Sequence, residues 1–317
     1  MIVTRDGDSL AGPPSAIAMG VFDGLHRGHQ RVISEVIQLA REHDAVPTVV
    51  TFDPHPAEVL SEGGAPLMLS TIDQRLEGLA ALGVEHTRVL TFDHSLAEES
   101  AVSFVDRVLA RELNARQVVV GSNFRFGHDR VGDVALLERE GDVRGFRVHP
   151  APLYGDGVRW SSTAVRVALA SGDLARANTV LGRPFTLRGE VEHGDARGVG
   201  LGFPTANVAV ARRQQLPANG IYAGAARARD ATWWPAAISV GTRPQFYDDG
   251  ATLVEVHLVG FGGDLYSETL DVAFAEALRG EMSFADVDEL IEQIGRDVKQ
   301  TLAIFDSFSA ESSALLG

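Results

Sequence analysis

Cysteine is absent from the 317 residues, which excludes disulfides, thiolate metal sites and a cysteine nucleophile. Lysine is nearly absent too. Lys299 is the only one and lies in a terminal helical pattern, so a Walker P-loop lysine is excluded and Schiff-base chemistry has no candidate near any motif. No apolar run approaches the length that spans a bilayer, and residues 1–6 do not read as a secretory leader. Positive charge is in deficit, with 28 Lys and Arg against 43 Asp and Glu for a net charge of −15. That balance disfavours a nucleic-acid or anionic-membrane surface but leaves room for local phosphate sites. The expectation is a cytoplasmic protein with small-molecule partners, no nucleic acid and no membrane; monomer and homo-oligomer both stay open. The length is about twice that of a typical domain, so two domains are expected.

What is present changes character once along the chain. Up to about residue 180, apolar runs at 15–19, 46–52, 87–92 and 117–121 alternate with helical periodicity at 71–82 and 102–113. That βαβα rhythm calls for a parallel sheet covered on both faces, with ligands bound beyond the carboxyl ends of its strands. Three loops fall at such ends: residues 20–29, Asp53-Pro54-His55-Pro56 and residues 122–127. After Arg183-Pro184, six short strand patterns follow at 187–191, 205–210, 221–227, 236–240, 253–258 and 270–274, separated by Gly, Pro, Asn and Asp. They predict a small antiparallel barrel, covered by one long helix over 284–308. The domains are therefore expected at 1–183 and 184–317.

The most informative run is Gly20-Val21-Phe22-Asp23-Gly24-Leu25-His26-Arg27-Gly28-His29, a turn between a strand and a helix. A helix start offers unpaired N–H groups and a positive dipole end to anions. Gly24 and Gly28 leave room for phosphate to approach the backbone, while His26 and His29 add donors that follow charge developing on phosphorus. His29 is expected to act through charge. Two surface histidines, or a metal site built from His26, His29, His55 and His149, are the alternatives. Ser161-Ser162-Thr163 precede a helix and would cap its first turn, an effect of about 1 kcal/mol each. With Arg166 they would equally make a phosphate clamp.

In the second half, Leu201-Gly202-Phe203-Pro204-Thr205-Ala206-Asn207 reads either as a glycine-rich turn feeding a strand or as a phosphate loop. In the latter case Thr205 and Asn207 offer neutral oxygens to Mg²⁺ around ATP. Val254-Glu255-Val256-His257-Leu258 alternates strictly, so Glu255 and His257 share the face opposite the core. Beside such a loop Glu255 is a candidate general base.

These residues carry a resemblance over nearly the whole chain. Residues 20–30, 51–56, 120–127 and 161–166 are similar to the adenylyltransferase half of the prokaryotic bifunctional riboflavin kinase/FAD synthetase family. Residues 197–207, 220–224, 239–244, 254–258, Gly263-Asp264-Leu265-Tyr266 and Leu278-Arg279 resemble its riboflavin kinase half. The resemblance implies a Rossmann-like nucleotidylyltransferase domain and a six-stranded riboflavin kinase barrel with a C-terminal helix. It implies ATP-dependent phosphorylation of riboflavin to FMN, then transfer of AMP from a second ATP to FMN, releasing pyrophosphate. It assigns Mg²⁺ to Thr205 and Asn207 and the base role to Glu255. ATP contacts fall on Gly20, Phe22, His26, His29, Ser162, Thr163, Arg166, Gly202, Thr205 and Asn207, and flavin contacts on His55, Asn123 and Arg279. Val21 and Gln245 depart from many relatives and bear on substrate affinity. The alternatives are a chain with one retained activity or a non-catalytic flavin and ATP sensor.

Overall fold

The computed structural model describes residues 1–8, 12–61, 64–157, 159–194, 197–228, 232–242 and 252–312. The chain divides into two compact units. One comprises Met1–Pro66 with Ile72–Trp160, the other Leu67–Thr71 with Ser161–Gly317.

The first unit is a six-stranded sheet. Its strands are β1 (Ile2–Thr4), β2 (Ser15–Met19), β3 (Val46–Asp53), β4 (His86–Thr91), β5 (Ala115–Gly121) and β6 (Arg147–Ala151), in the order β1-β4-β3-β2-β5-β6 and parallel at every pairing. Every residue of β2 is buried, as a strand covered on both faces requires. Its helices are α1 (Arg27–Glu42), α2 (Pro56–Leu60), α3 (Ile72–Ala81), α4 (His94–Glu98), α5 (Ala101–Phe104) and α6 (Val134–Arg144). The helix expected over 102–113 instead leaves α5 as a π-helical stretch, Val105–Glu112, in which Leu113 N–H reaches the Val108 carbonyl at 3.1 Å. Strands β1 and β6 have too few consecutive apolar residues to be legible by pattern, and they are the two edges. Because β3 and β5 flank β2 on opposite sides, the chain reverses its winding direction there, and the loops after β2, β3 and β5 share the carboxyl-end rim where such folds bind ligands.

The second unit is a closed barrel of β7 (Phe185–Glu192), β8 (Ala206–Val210), β9 (Gly220–Ala228), β10 (Trp234–Thr242), β11 (Thr252–Leu258) and β12 (Thr269–Arg279), ordered β10-β11-β8-β7-β12-β9 and antiparallel throughout. Phe185, Leu187, Ile238, Val254, Val256 and Phe274 fill it. At Gly224 the neighbouring strand approaches so closely that a Cβ would lie 1.9 Å from the Ala273 carbonyl oxygen. Helices α7 (Ser162–Ala170), α8 (Leu174–Leu181), α9 (Arg197–Gly200) and α10 (Val287–Ser312) complete the unit. The last of these is the long helix expected at 284–308, and Arg279 clamps it by donating from Nε and Nη2 to the Asp297 carboxylate at 2.8–3.2 Å.

Packing thus divides the chain at Trp160/Ser161, whereas the pattern change suggested 183/184. The helical pattern of 162–181 looks like more of the first half, but its apolar residues Leu174, Val180 and Leu181 are buried within the second unit. Asn178 accepts from Phe185 N–H at 2.8 Å and donates to the Phe274 carbonyl at 2.9 Å, fastening α8 to β7 and β12. The segment Leu67–Thr71 also belongs here. Met68 pairs with the 213–215 backbone through bonds of 2.7 and 2.8 Å, and Arg166 Nε donates to the Leu67 carbonyl at 2.6 Å.

A fragment starting at 184 is therefore expected to be less stable than one starting at 161, by roughly 5 kcal/mol given ~1.5–3 kcal/mol per buried aliphatic side chain. Urea titration of the two fragments, both lacking Leu67–Thr71, tests this; equal midpoints would mean α8 contributes nothing to the barrel.

Two candidate active sites

In the first unit, β2 ends at Met19 and the chain turns sharply. Phe22 (φ 55°), Gly24 (φ 76°) and Leu25 (φ 44°) are all left-handed. Two of these are bulky residues for which that conformation costs roughly 1–3 kcal/mol each, and burial of both side chains offsets it. Thr51 Oγ1 donates to the Val21 carbonyl at 3.0 Å and holds the turn against β3.

His26 then caps α1, its Nδ1 accepting from His29 N–H at 3.3 Å, so its own hydrogen sits on Nε2. The two imidazoles stack with centroids 3.6 Å apart. Gly24 and Gly28 also have local structural roles. Gly24 supplies positive φ, and a Cβ on Gly28 would stand 3.0 Å from His26 Cε1, so the missing side chain makes room for the histidine ring. His29 is half-buried, and its Nδ1 is shielded from solvent with no hydrogen-bond partner among the described residues. Burial, then the nearby charges of His26 and Arg75, push its pKa well below the ordinary 6.5. The shift disfavours its charged form, which bears on the expectation that it acts through charge.

Arg75, from α3, went unnoticed in the sequence. It is 3% exposed, and its Nη1 donates to Thr51 Oγ1 at 3.2 Å and to the Phe52 carbonyl at 3.0 Å. Burial lowers its pKa, while the Asp23 and Asp53 carboxylates oppose that shift. One signal was present: Arg75 lies four residues before buried Leu79, on a stripe where periodicity calls for an apolar residue.

His55 follows β3 and caps α2 through Nδ1, which accepts from Ala57 N–H at 3.0 Å in a capping box with Glu58. Asn123 is exposed in the turn after β5. Gly20, Phe22, His26, His55 and Asn123 thus lie on loops following three strand ends, and His29 in the first turn of α1 after one of them. His149 is hydrogen-bonded to Gln117 at 2.7 Å, and among the described residues no three His, Asp or Glu side chains are grouped to hold a metal, so the four-histidine metal site does not assemble.

Ser162, Thr163 and Arg166 occupy the first turn and a half of α7 in the second unit. Ser161, not Ser162, is the cap, accepting from Ala164 N–H at 3.1 Å.

The barrel of the second unit has a cavity of about 550 Å³ that brings together Thr205, Asn207, Glu255 and Arg279. Val254, Val256 and Leu258 are buried, so the expected alternation holds and Glu255 faces the cavity. In register, Glu255 stands directly opposite Asn207 on β8 and Ser239 on β10. The Asn207 Oδ1 is buried with no hydrogen-bond partner among the described residues. A Cβ on Gly194 would strike the Asn207 amide nitrogen at 2.0 Å, so glycine there is what admits this side chain. Gly202 takes the left-handed turn before Phe203 (φ 83°). Arg279 lines the cavity, but its guanidinium is committed to Asp297, which makes it a clamp on α10 before it is anything else. Gln245 and residues 243–244 lie outside the described residues.

Residues 10–164 match the FAD synthetase family model and residues 181–305 the riboflavin kinase model. The chain is 40% identical over 287 residues to the bifunctional riboflavin kinase/FMN adenylyltransferase of Pseudomonas fluorescens, covering 90% of this chain and 91% of that protein. It is 38% identical to the protein of the same description from Escherichia coli K12, covering 89% and 90%. A solved Streptococcus pneumoniae structure described as a macrolide-efflux protein superposes with a TM-score of 0.85 at 30% identity, covering 95% of this chain and 99% of that one. Among the described residues no helix is long and apolar enough to cross a membrane. With an FAD synthetase match followed by a riboflavin kinase match, and relatives of both activities aligned over nine-tenths of its length, the chain belongs to the bifunctional riboflavin kinase/FMN adenylyltransferase family.

Proposed function

We propose that the barrel cavity is the riboflavin kinase site, with Glu255 as general base, and that the turn holding His26 and His29 serves the adenylyl transfer. The observation that carries the first half is Glu255 directly across the sheet from Asn207, whose buried oxygen lacks a partner. An orphaned neutral oxygen near a carboxylate suits a hard cation, so Asn207 and Thr205 would hold Mg²⁺, which supplies charge neutralisation at the ATP phosphates. Glu255 accepts the proton of the ribityl 5′-hydroxyl as that oxygen attacks the γ-phosphate of ATP. The cavity walls orient the flavin and exclude water.

The adenylyl transfer needs no base, because the FMN phosphate is already an anion. His26 and His29 donate hydrogen bonds as charge shifts from the α-phosphate to the departing pyrophosphate, and Gly20 and Phe22 shape the turn that holds them. Ser162, Thr163 and Arg166 take their ATP assignment, and His55 and Asn123 their flavin assignment, from the motif match. ATP, riboflavin and FMN are the small-molecule partners, and the cytoplasm, which supplies ATP, is the proposed location.

Glu255→Gln is expected to lower FMN formation by about 10²–10⁴-fold and leave FAD formation from supplied FMN intact. Flavin chromatography reads both products, and an undiminished kinase rate would move the base elsewhere. His29→Ala is expected to slow FMN adenylylation by about 10²–10³-fold without affecting riboflavin phosphorylation, and His29→Asn to recover part of the loss because an amide also donates. Equal loss of both activities would instead make His29 a folding residue.

The depressed His29 pKa also links to stability. The unfolded chain binds a proton at this residue below about pH 6.5 and the folded one does not, so folding stability falls as pH drops through 6.5 toward the lower folded value. Comparing urea midpoints at pH 7.5 and 5.5, the wild type should lose up to about 1.4 kcal/mol per pH unit more than His29→Asn. Parallel losses in the two proteins would count against a lowered His29 pKa.

A further inference from the structure

Two residues beyond Glu255 on the same face of β11, His257 donates from Nδ1 to the Pro204 carbonyl at 2.7 Å. Its ring meets Phe203 edge to face, with centroids 5.6 Å apart. The position of this bond in the sheet gives it meaning. The β8–β11 ladder pairs Val208, Asn207 and Ala206 with Val254, Glu255 and Val256, and it ends there. Continued in register it would reach Thr205 and then Pro204, but proline has no N–H to give. The chain leaves the sheet at that point, and a side chain from β11 takes over where the backbone ladder stops. On its far side the loop is closed by Phe203 N–H on the Gly198 carbonyl at 2.9 Å, where a Cβ on Gly198 would lie 2.3 Å from the Phe203 oxygen. The loop bearing Thr205 is thus fastened at one end by its own turn and at the other by His257.

We propose that His257 is a positioning residue of the kinase site: by gripping the Pro204 carbonyl it sets Thr205 and Asn207 against Glu255 on its own strand. This rests on the assignment of those three residues above. The acceptor is a carbonyl, so Nδ1 must carry hydrogen. Asparagine places its amide nitrogen near Nδ1 and retains the donor, whereas phenylalanine keeps the ring against Phe203 and removes it.

The test uses the full-length chain with His257→Phe, His257→Asn and Glu255→Gln in parallel, following riboflavin phosphorylation against ATP and Mg²⁺ concentration and FMN adenylylation as internal control. His257→Phe is expected to raise the KM for ATP and the half-saturating Mg²⁺ concentration together by about tenfold, the scale of one lost hydrogen bond, with a smaller fall in kcat. His257→Asn is expected to recover most of that affinity. A His257→Phe protein with unaltered KM overturns the proposal, as does a His257→Asn protein as impaired as His257→Phe. Should His257→Phe misfold, losing adenylylation as well, His257→Gln carries the test: its donor sits one bond farther out and predicts an intermediate KM. Full kinase activity in Glu255→Gln would instead overturn the assignment of the site, whatever His257 does.

Discussion

The register of β11 against β8 is the constraint on which the barrel site depends. Val254, Val256 and Leu258 must enter the core, and that requirement alone turns Glu255 and His257 to the cavity. A one-residue slip would bury the carboxylate and expose the valines, so the hydrophobic effect that folds the barrel also aims Glu255. The same pairing sets Asn207 opposite Glu255, and the absence of a side chain at Gly194 leaves room for that amide. Core packing, loop anchoring and site geometry are therefore one arrangement seen at three scales.

The first unit reaches comparable precision by different means. Its turn gathers strained backbone at Phe22 and Leu25, a cap made from His26, and a buried cation at Arg75 whose bonds run to Thr51 and the Phe52 carbonyl. Arg75 presses on His29 electrostatically while its own charge is balanced by Asp23 and Asp53. An uncharged donor adjusts to a transition state without having first to shed a tightly held counterion. That favours an uncharged His29 over an exposed cation at this position.

Much of this was legible in the sequence because it rests on local periodicity. The burial of β2, the alternation in β11, the run of six barrel strands and the terminal helix all follow from spacing two or 3.6 residues apart. What could not be read depends on partners distant in sequence. Arg75 looks like an ordinary helix arginine until Thr51 and Phe52 come to meet it. The room that Gly28 leaves for the His26 ring and the bonds of Arg279 to Asp297 are likewise invisible until the chain is folded. Helices α7 and α8 continue the first half's pattern on paper, and only the buried contacts of Asn178 and Leu181 show which unit they serve.

The segment Leu67–Thr71 lies inside the second unit although it is encoded between β3 and α3 of the first. During synthesis its partner Arg166 emerges 99 residues after Leu67, an interval of roughly 5 to 20 s at ribosomal elongation rates. The parallel sheet is complete once β6 has been made, when the partners of this five-residue segment do not yet exist. The backbone groups that Met68 gives to residues 213–215 therefore stay open until the second unit is translated. That makes the order of the two halves along the message a matter of folding as well as of chemistry.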